Sequence, residues 1–575
     1  MRELLLSVRP ILSSVMTNLG IKEEEWFDLL DSSTDSSFAD IAMPCHSLSK
    51  KLKKSPMQIA DEILEGVGED LCDFCTLSSI NGFLNFSANS KWLNECLQNH
   101  ILDQRLGVSL DEQRTIVVDY SSPNVAKHMH VGHLRSTVIG DSLVRMLTYK
   151  GHNVVRENHI GDWGTPFGML IEHLIDVNGN DTINNVDLAI FYRDAREKFD
   201  SNVDFADRSR ERVVKMQSND PDSIYYWQML VDQSLVHFNE VYQMMGVLLN
   251  NNDIAGESKY ESLLSEVVEK LEEAGLLHES QGAQVVFPEG WYNREGNPLP
   301  LIIRKADGGY NYATSDLACI IDRVQNVGAT DFLYVVGAEQ SQHFAMVFEV
   351  ARKAGFMNKK ITATHVPFGL VMGTDGKKLA SRTGGAVHLK DLLMEAIERA
   401  NSIIAEKNPS LSNDERNEIA RMLGIGAIKY ADLSTDRNNN YTFDWEKMLS
   451  FDGNTAPYLQ YAHARICSIF SKANIDRKDV QRAIISVSDE REISLAKAIL
   501  SFPEYLDKAI LSNSPHKLAT QLHSLAQAFG TFYEFCPVIS SETDIFESRL
   551  ALCDLTARTL EQGLNLLGIE APKKM

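Results

Sequence analysis

At 575 residues the chain is too long for one hydrophobic core and must divide into several domains. Its 44% hydrophobic and 23% charged residues are ordinary for a water-soluble protein, and no apolar run reaches the ~18 to 20 residues that span a bilayer, so no membrane segment is expected. The net charge of −23 argues against an unspecific nucleic-acid binder, because its field opposes phosphate; a nucleic-acid partner would need locally concentrated cations.

The opening MRELLLSVRPILSSVMTNLG has a short apolar stretch broken by Arg9 and Pro10, with no small-residue cleavage pattern behind it. It predicts an amphipathic helix, not a signal. FADIAM and GFLNFSA are alternating or apolar stretches and WLNECLQNHIL predicts a helix, so residues 1–110 read as a small α+β domain without a catalytic motif. Among eight scattered cysteines only Cys72 and Cys75 make a CxxC, and no second pair completes a zinc ribbon. Reduced thiols, a cytoplasmic setting and no protein-held metal are expected.

At Thr115 the chain turns to TIVVDYSSPN, a β-branched strand ending in a turn. LRSTVIGDSLVRMLTYKG predicts a helix with Leu134, Val138, Ser142 or Leu143, and Met146 or Leu147 near one face, closed by Gly151. NVVREN follows as a second strand, giving the βαβ unit of a parallel sheet. A polar, helical insertion at about 175–300 interrupts this fold; in it Ser258 and Glu261 predict a capping box before Leu263, Leu264, Val267, Val268 and Leu271, with Gly275 as the stop. The sheet resumes with a strand in DFLYVVGAEQ, a helix in SQHFAMVFEVARKAG and a further strand in THVPFGLVMG. An α/β core therefore covers 111–390. Beyond it the chain reads as helical to the end, over 391–454 and 455–575.

The chemistry concentrates where the first strand turns into the first helix. His130 and His133 flank Gly132 there: imidazoles reach phosphate oxygens, glycine admits a nucleotide close to the backbone, and a helix N-terminus offers free N–H groups. Such a pair of histidines alone is more often structural; the strand-to-helix position makes it an ATP-site candidate. A second cluster, Arg352, Lys353, Lys359, Lys360, Lys377, Lys378 and Arg382 against Asp375 alone, is either a solvated basic face or a phosphate-facing one.

SPNVAKHMHVGH with LRSTVIGDSLVRML, then ENHIGDWGTPFGMLIEHL and the later YLQYAHARI, resembles the arginyl-tRNA synthetases, with HVGH as their version of the class I HIGH motif. The resemblance covers most of the chain from about 115 onward. It implies a Rossmann-type parallel-sheet core with HIGH-like and KMSKS-like motifs, an N-terminal α+β domain touching the tRNA elbow, a stem-contact region at 391–454 and an anticodon-binding all-α bundle at 455–575. The implied partners are ATP with Mg²⁺, L-arginine and tRNA(Arg), and the implied state is a monomer.

The same resemblance carries arginine recognition onto Tyr312, Asp316 and Gln340, and the amino acid's α-end onto Asn124 with Ser122 beside it and His133 near. Asp119 stands where relatives carry glutamate. Arginine's planar, permanently charged guanidinium requires acceptors placed around a flat group, and Tyr312 and Asp316 share one face if a helix begins at Tyr312. Taken without the motif, a buried tyrosine and a helix-capping aspartate read equally well. ATP contacts fall on His130, Gly132, His133, Lys378 and Ser381, and the catalytic cations on Lys378 and Arg382. GTDGKKLASRTGG lacks the second KMSKS lysine, which the resemblance assigns to Lys127. In the bundle, Tyr458, Tyr461 and Arg465 are either base contacts or a core stripe. Other class I synthetases, a nucleotidylyltransferase sharing HxGH, and an inactive tRNA-binding protein remain alternatives from sequence alone.

Overall fold

Thr115–Val118 are all β-branched, and Ile116, Val117 and Val118 are buried, the pattern of a strand enclosed on both faces of a parallel sheet. In the computed structural model, which describes residues 2–32, 39–177, 188–380, 387–539 and 542–575, this strand is β1 (Thr115–Asp119). It is followed by α1 (Val131–Tyr149) and β2 (Asn153–Glu157), then, after the insertion, by α2 (Tyr312–Gln325), β3 (Asp331–Tyr334), α3 (Ser341–Lys353) and β4 (Thr362–His365). The sheet is parallel throughout in the order β4-β3-β1-β2. This is the Rossmann-type arrangement expected.

Helix α1 is more enclosed than its apolar spacing predicts: besides the expected face, Arg135, Thr137 and Asp141 are buried. The reason is a second layer. Arg135 Nε is 3.1 Å from the Asp432 carboxylate on helix Asn413–Leu433, and Ser142 Oγ donates to Leu566 O at 3.0 Å. Gly151, at φ +95°, closes the helix as predicted.

Three expectations need correction. THVPFGLVMG is not one strand: β4 ends at His365, ahead of Pro367, and Val371–Met372 pairs instead with Tyr441–Thr442. Proline cannot donate to a ladder. Ser258 does not cap a helix; its N–H and Oγ both bind the Asp162 carboxylate, at 2.9 and 2.7 Å, so Glu257–Leu263 winds as 3₁₀ turns and the α-helix starts at Leu264. The insertion is also not wholly helical. Gln281 and Gly282 both take positive φ, closing a tight hairpin in a three-stranded antiparallel sheet of His278–Ser280, Ala283–Val286 and Leu301–Arg304.

The chain divides into two compact units, Leu110–Ser450 with Leu566–Ile569, and Met1–Ser109 with Phe451–Asn565 and Glu570–Met575. In the latter, helix Arg2–Asn18 tolerates Pro10, and the alternating or apolar stretches FADIAM and GFLNFSA supply strands Ile41–Pro44 and Phe83–Ala88 of a four-stranded antiparallel sheet. Helices from Ala456–Ala473 to Thr543–Leu566 make up the C-terminal part. All eight cysteines are free thiols. Among the described residues no single helix is long and apolar enough to cross a membrane.

Candidate active site

Strand register sets His365, Tyr334, Asp119 and Glu157 side by side at the carboxyl ends of β4, β3, β1 and β2. The loops after β1 and β3 leave in opposite directions along the sheet, and ligands of such folds bind in the crevice between them. Ser136 of α1 bridges the crevice, accepting from Ser121 N at 2.8 Å and donating to Val335 O at 2.6 Å. Behind the edge lies Arg323 of α2, fully buried, with Nη2 2.6 Å from Asp119 and Nε 2.7 Å from Glu157. Asp119 therefore meets a guanidinium of the protein itself, and its other oxygen accepts from Ser122 Oγ at 3.3 Å.

The loop leaving β1 contains three non-glycine residues at positive φ: Ser121, Ser122 and Ala126. Their backbone is tied down from several sides, Ser122 N–H by Asn158 Oδ1 at 3.0 Å and Ala126 N–H by Ser234 Oγ at 3.0 Å. Exposed Asn124 pairs by its backbone with Gly161, where a Cβ would lie 2.4 Å from Asn124 Oδ1; only glycine leaves that side chain its place.

His130 is the N-cap of α1, at φ −123° and ψ 171°. Gly132 N–H donates to His130 Nδ1 at 3.0 Å, and His130 N–H to His133 Nδ1 at 3.1 Å. With Nδ1 accepting in both rings, the ring hydrogen of each sits on Nε2. Burial, and then the Lys378 and Lys127 ammoniums, lower the His130 pKa; burial and His130 push His133 down to about 3. Two neutral imidazoles 4.1 Å apart thus present Nε2–H donors beside a helix N-terminus, an arrangement that suits phosphate oxygens without net charge on the rings.

Lys378 follows the tight turn Gly373–Lys377, closed by Gly373 N–H to Lys377 O at 2.7 Å, and is exposed. Ser381 and Arg382 lie outside the described residues. Past them the chain is stitched to the histidine loop, with Val131 N–H to Val387 O and Leu389 N–H to Met129 O, both 2.9 Å. The two ends of the KMSKS-like segment are thereby both anchored in this unit. Lys127 is exposed, with its Nζ 4.7 Å over the Tyr192 ring of the insertion.

α2 begins at Tyr312, so Tyr312 and Asp316 do share a face. Tyr312 is 73% exposed, which removes the reading of a buried tyrosine; Asp316 is no helix cap but pairs with His343 Nε2 at 2.5 Å. Exposed Gln340 ends the loop after β3, three residues before His343. The sequence reading singled out the histidines, Asn124, Tyr312 and Asp316. It missed His343, Arg323, Asn158 and Ser136, whose partners are distant in the chain; the only local hint is that His343 follows Gln340 by one helical turn.

In the other unit, Arg465 lies over the Tyr461 ring at 4.6 Å and the Tyr533 ring at 4.9 Å, beside a cavity of about 620 Å³ that Lys472 and Lys574 also line. Tyr461 is 39% exposed, so it does not belong to a core stripe. Tyr458 is half-buried against His523.

Comparison with known proteins gives a consistent result. Residues 96–445 match the family "tRNA synthetases class I (R), catalytic domain", 459–575 the DALR anticodon binding domain, and 7–88 the arginyl tRNA synthetase N terminal domain. The arginine–tRNA ligase of Thermobifida fusca is 47% identical over 94% of both chains. The crystal structure of arginyl-tRNA synthetase from Plasmodium falciparum superposes with a TM-score of 0.84 at 28% identity, covering 99% of this chain and 98% of that one. That of Thermus thermophilus, at 23% identity and a TM-score of 0.80 over 99% of both chains, shares the fold.

Proposed function

The chain belongs to the arginyl-tRNA synthetases, class I enzymes that activate arginine with ATP and pass it to tRNA, and we propose how its residues divide that work. The observation that carries the reading is the pair of Nε2–H donors at the N-terminus of α1, fixed by backbone N–H groups on Nδ1 at the crevice of the sheet.

His130 and His133 hold the ATP phosphates, Gly132 lets the nucleotide approach, and Lys378 faces the pyrophosphate. Ser381 and Arg382 complete that segment, and Lys127 serves in place of the missing second KMSKS lysine. Mg²⁺ comes with the ATP phosphates as part of the substrate. Tyr312, Asp316 and Gln340 surround the guanidinium. Asn124 and Ser122, with His133 near, take the amino acid's α-end. Asp119, engaged by Arg323 and Ser122, adds negative charge behind them.

The arginine carboxylate attacks the α-phosphate and pyrophosphate leaves; the 2′-hydroxyl of the terminal adenosine then attacks the aminoacyl carbonyl and AMP leaves. The carboxylate is already a nucleophile, so the first step needs little acid or base work and rests on positioning and fixed donors; in the second the hydroxyl proton is given up as the ester bond forms and AMP departs. No editing site is needed, because a substrate lacking the guanidinium leaves the acceptors around it unpaired, a discrimination of roughly 10⁴ to 10⁵.

Domain roles follow the same proposal: 1–110 at the tRNA elbow, 111–390 catalytic, 391–454 at the acceptor stem, 455–575 reading the anticodon with Tyr461 and Arg465 as stacking groups. We read the enzyme as a cytoplasmic monomer whose arginine activation requires bound tRNA. Pyrophosphate exchange at full rate without tRNA overturns that requirement, and a dimer mass in sedimentation overturns the monomer. Charging of total tRNA with each of twenty amino acids tests the whole reading, with arginine alone expected to react. For the pocket, Asp316→Asn is expected to raise the arginine KM far more than the ATP KM; equal effects remove Asp316 from it.

A further inference from the structure

We propose that His343 is a positioning residue of the arginine pocket, clamping one oxygen of Asp316 so that the other is held for the guanidinium. This rests on the reading that Asp316 meets the substrate. Asp316 stands in the second turn of α2 and His343 in the first turn of α3, so their contact joins the helix that carries Tyr312 to the loop that carries Gln340.

His343 Nε2 is 2.5 Å from Asp316 Oδ2, and among the described residues Asp316 Oδ1 has no hydrogen-bond partner. The side chains are 26% and 17% exposed, enough for a ligand to reach the second oxygen. The His343 ring is itself set edge-on against Phe344, which stacks on His365 at the end of β4, so the clamp is referenced to the sheet.

The choice of side chain matters. A carboxylate can accept about four hydrogen bonds and swings freely when none is made. One donor from an imidazole ring nitrogen fixes its plane, whereas a Lys or Arg at this position would cancel the charge that the guanidinium needs. With Oδ2 engaged by His343, Asp316 presents Oδ1 as its free oxygen, and the guanidinium donors that it does not meet fall to Tyr312 and Gln340. Removing the clamp releases the carboxylate to a range of orientations of which few suit a planar ligand.

The test is the steady-state kinetics of the full-length enzyme with tRNA present, for His343→Ala, His343→Gln and Asp316→Asn. We expect His343→Ala to raise the arginine KM about tenfold or more, the ATP KM staying within about twofold, and His343→Gln, whose amide N–H reaches a similar point, to recover most of the loss. A general packing defect would move both KM values and the thermal midpoint together. An unchanged arginine KM in His343→Ala, a parallel rise in the ATP KM, or no recovery in His343→Gln each overturns the proposal. If Asp316→Asn also leaves the arginine KM unmoved, the pocket assignment falls with it; if Asp316→Asn raises it and His343→Ala does not, only the role of His343 falls.

Discussion

His130 does two jobs that one substitution can separate. Its Nδ1 caps α1 by accepting the Gly132 N–H at 3.0 Å, which leaves the ring hydrogen on Nε2 as a donor for the phosphate. Asparagine at this position places an amide oxygen near Nδ1, and asparagine is among the best N-caps, so His130→Asn keeps the cap while deleting the distal donor. Losing one preorganised donor to developing phosphate charge costs about 3 to 4 kcal/mol, or roughly 10² to 10³ in rate. His130→Ala loses the cap as well, a further ~1 kcal/mol of stability. The assay is ATP–pyrophosphate exchange with arginine and tRNA, run beside thermal unfolding. Both variants should lose at least about a hundredfold in exchange, and only His130→Ala should melt early. Exchange near the wild-type rate in His130→Asn, or equal destabilisation of both variants, refutes the division of roles.

Gly161→Ala puts a Cβ 2.4 Å from Asn124 Oδ1 and so displaces an exposed side chain without touching the core; a raised arginine KM with an unchanged ATP KM is expected, and an unchanged arginine KM shows that Asn124 does not meet the amino acid. Asp432→Asn strips the partner from Arg135, a pair whose side chains are 0% and 1% exposed, and should cost about 3 to 5 kcal/mol in the unfolding of this unit, whereas the double change Arg135→Met with Asp432→Leu should recover much of it. Equal losses in the single and double variants exclude an isolated buried charge as the cause. Acid is a third probe: the unfolded chain takes a proton on His133 near 6.5, which the folded chain refuses down to about 3, so stability falls as pH drops through that window and is untouched above it. His133→Gln should flatten this fall in the thermal midpoint. Parallel slopes would assign the acid sensitivity to other groups.

What could be read from the sequence was what a local pattern encodes. Thr115–Val118 declared a buried strand because all four are β-branched, and His130–Gly132–His133 declared a helix start because it followed that strand and preceded an apolar period. Tyr312 and Asp316 share a face because the helix begins where their spacing requires. Polar partners over long separations leave no such trace. Arg323 reaches Asp119 across 204 residues and Glu157 across 166, and nothing near any of the three announces it. Ser258 looked like a cap because Glu261 stood three residues on, but the Asp162 carboxylate, 96 residues earlier, outcompeted the helix for its hydroxyl. The single apolar face predicted for α1 fell short because hydrophobic period counts only apolar residues, and Arg135 and Asp141 are buried through paired polar contacts.

The insertion earns a larger part than its pattern suggested. Ser121, Ser122 and Ala126 each hold a left-handed backbone that costs on the order of 1 to 3 kcal/mol, and such a loop persists only when its surroundings determine it. Two of the determining groups come from the insertion helix Pro221–Met245: Ser234 Oγ accepts the Ala126 N–H, and Tyr242 OH lies 2.8 Å from Ser121 Oγ while accepting from Asn158 Nδ2 at 3.0 Å. Asn158 in turn holds the Ser122 N–H, and Ser136 on α1 holds that of Ser121. The strained segment is thus gripped by the helix it leads into, by the end of β2 and by the insertion together. Asn124 and His130 sit toward opposite ends of that one segment, so the grip that fixes the amino-acid side of the loop also fixes its phosphate side.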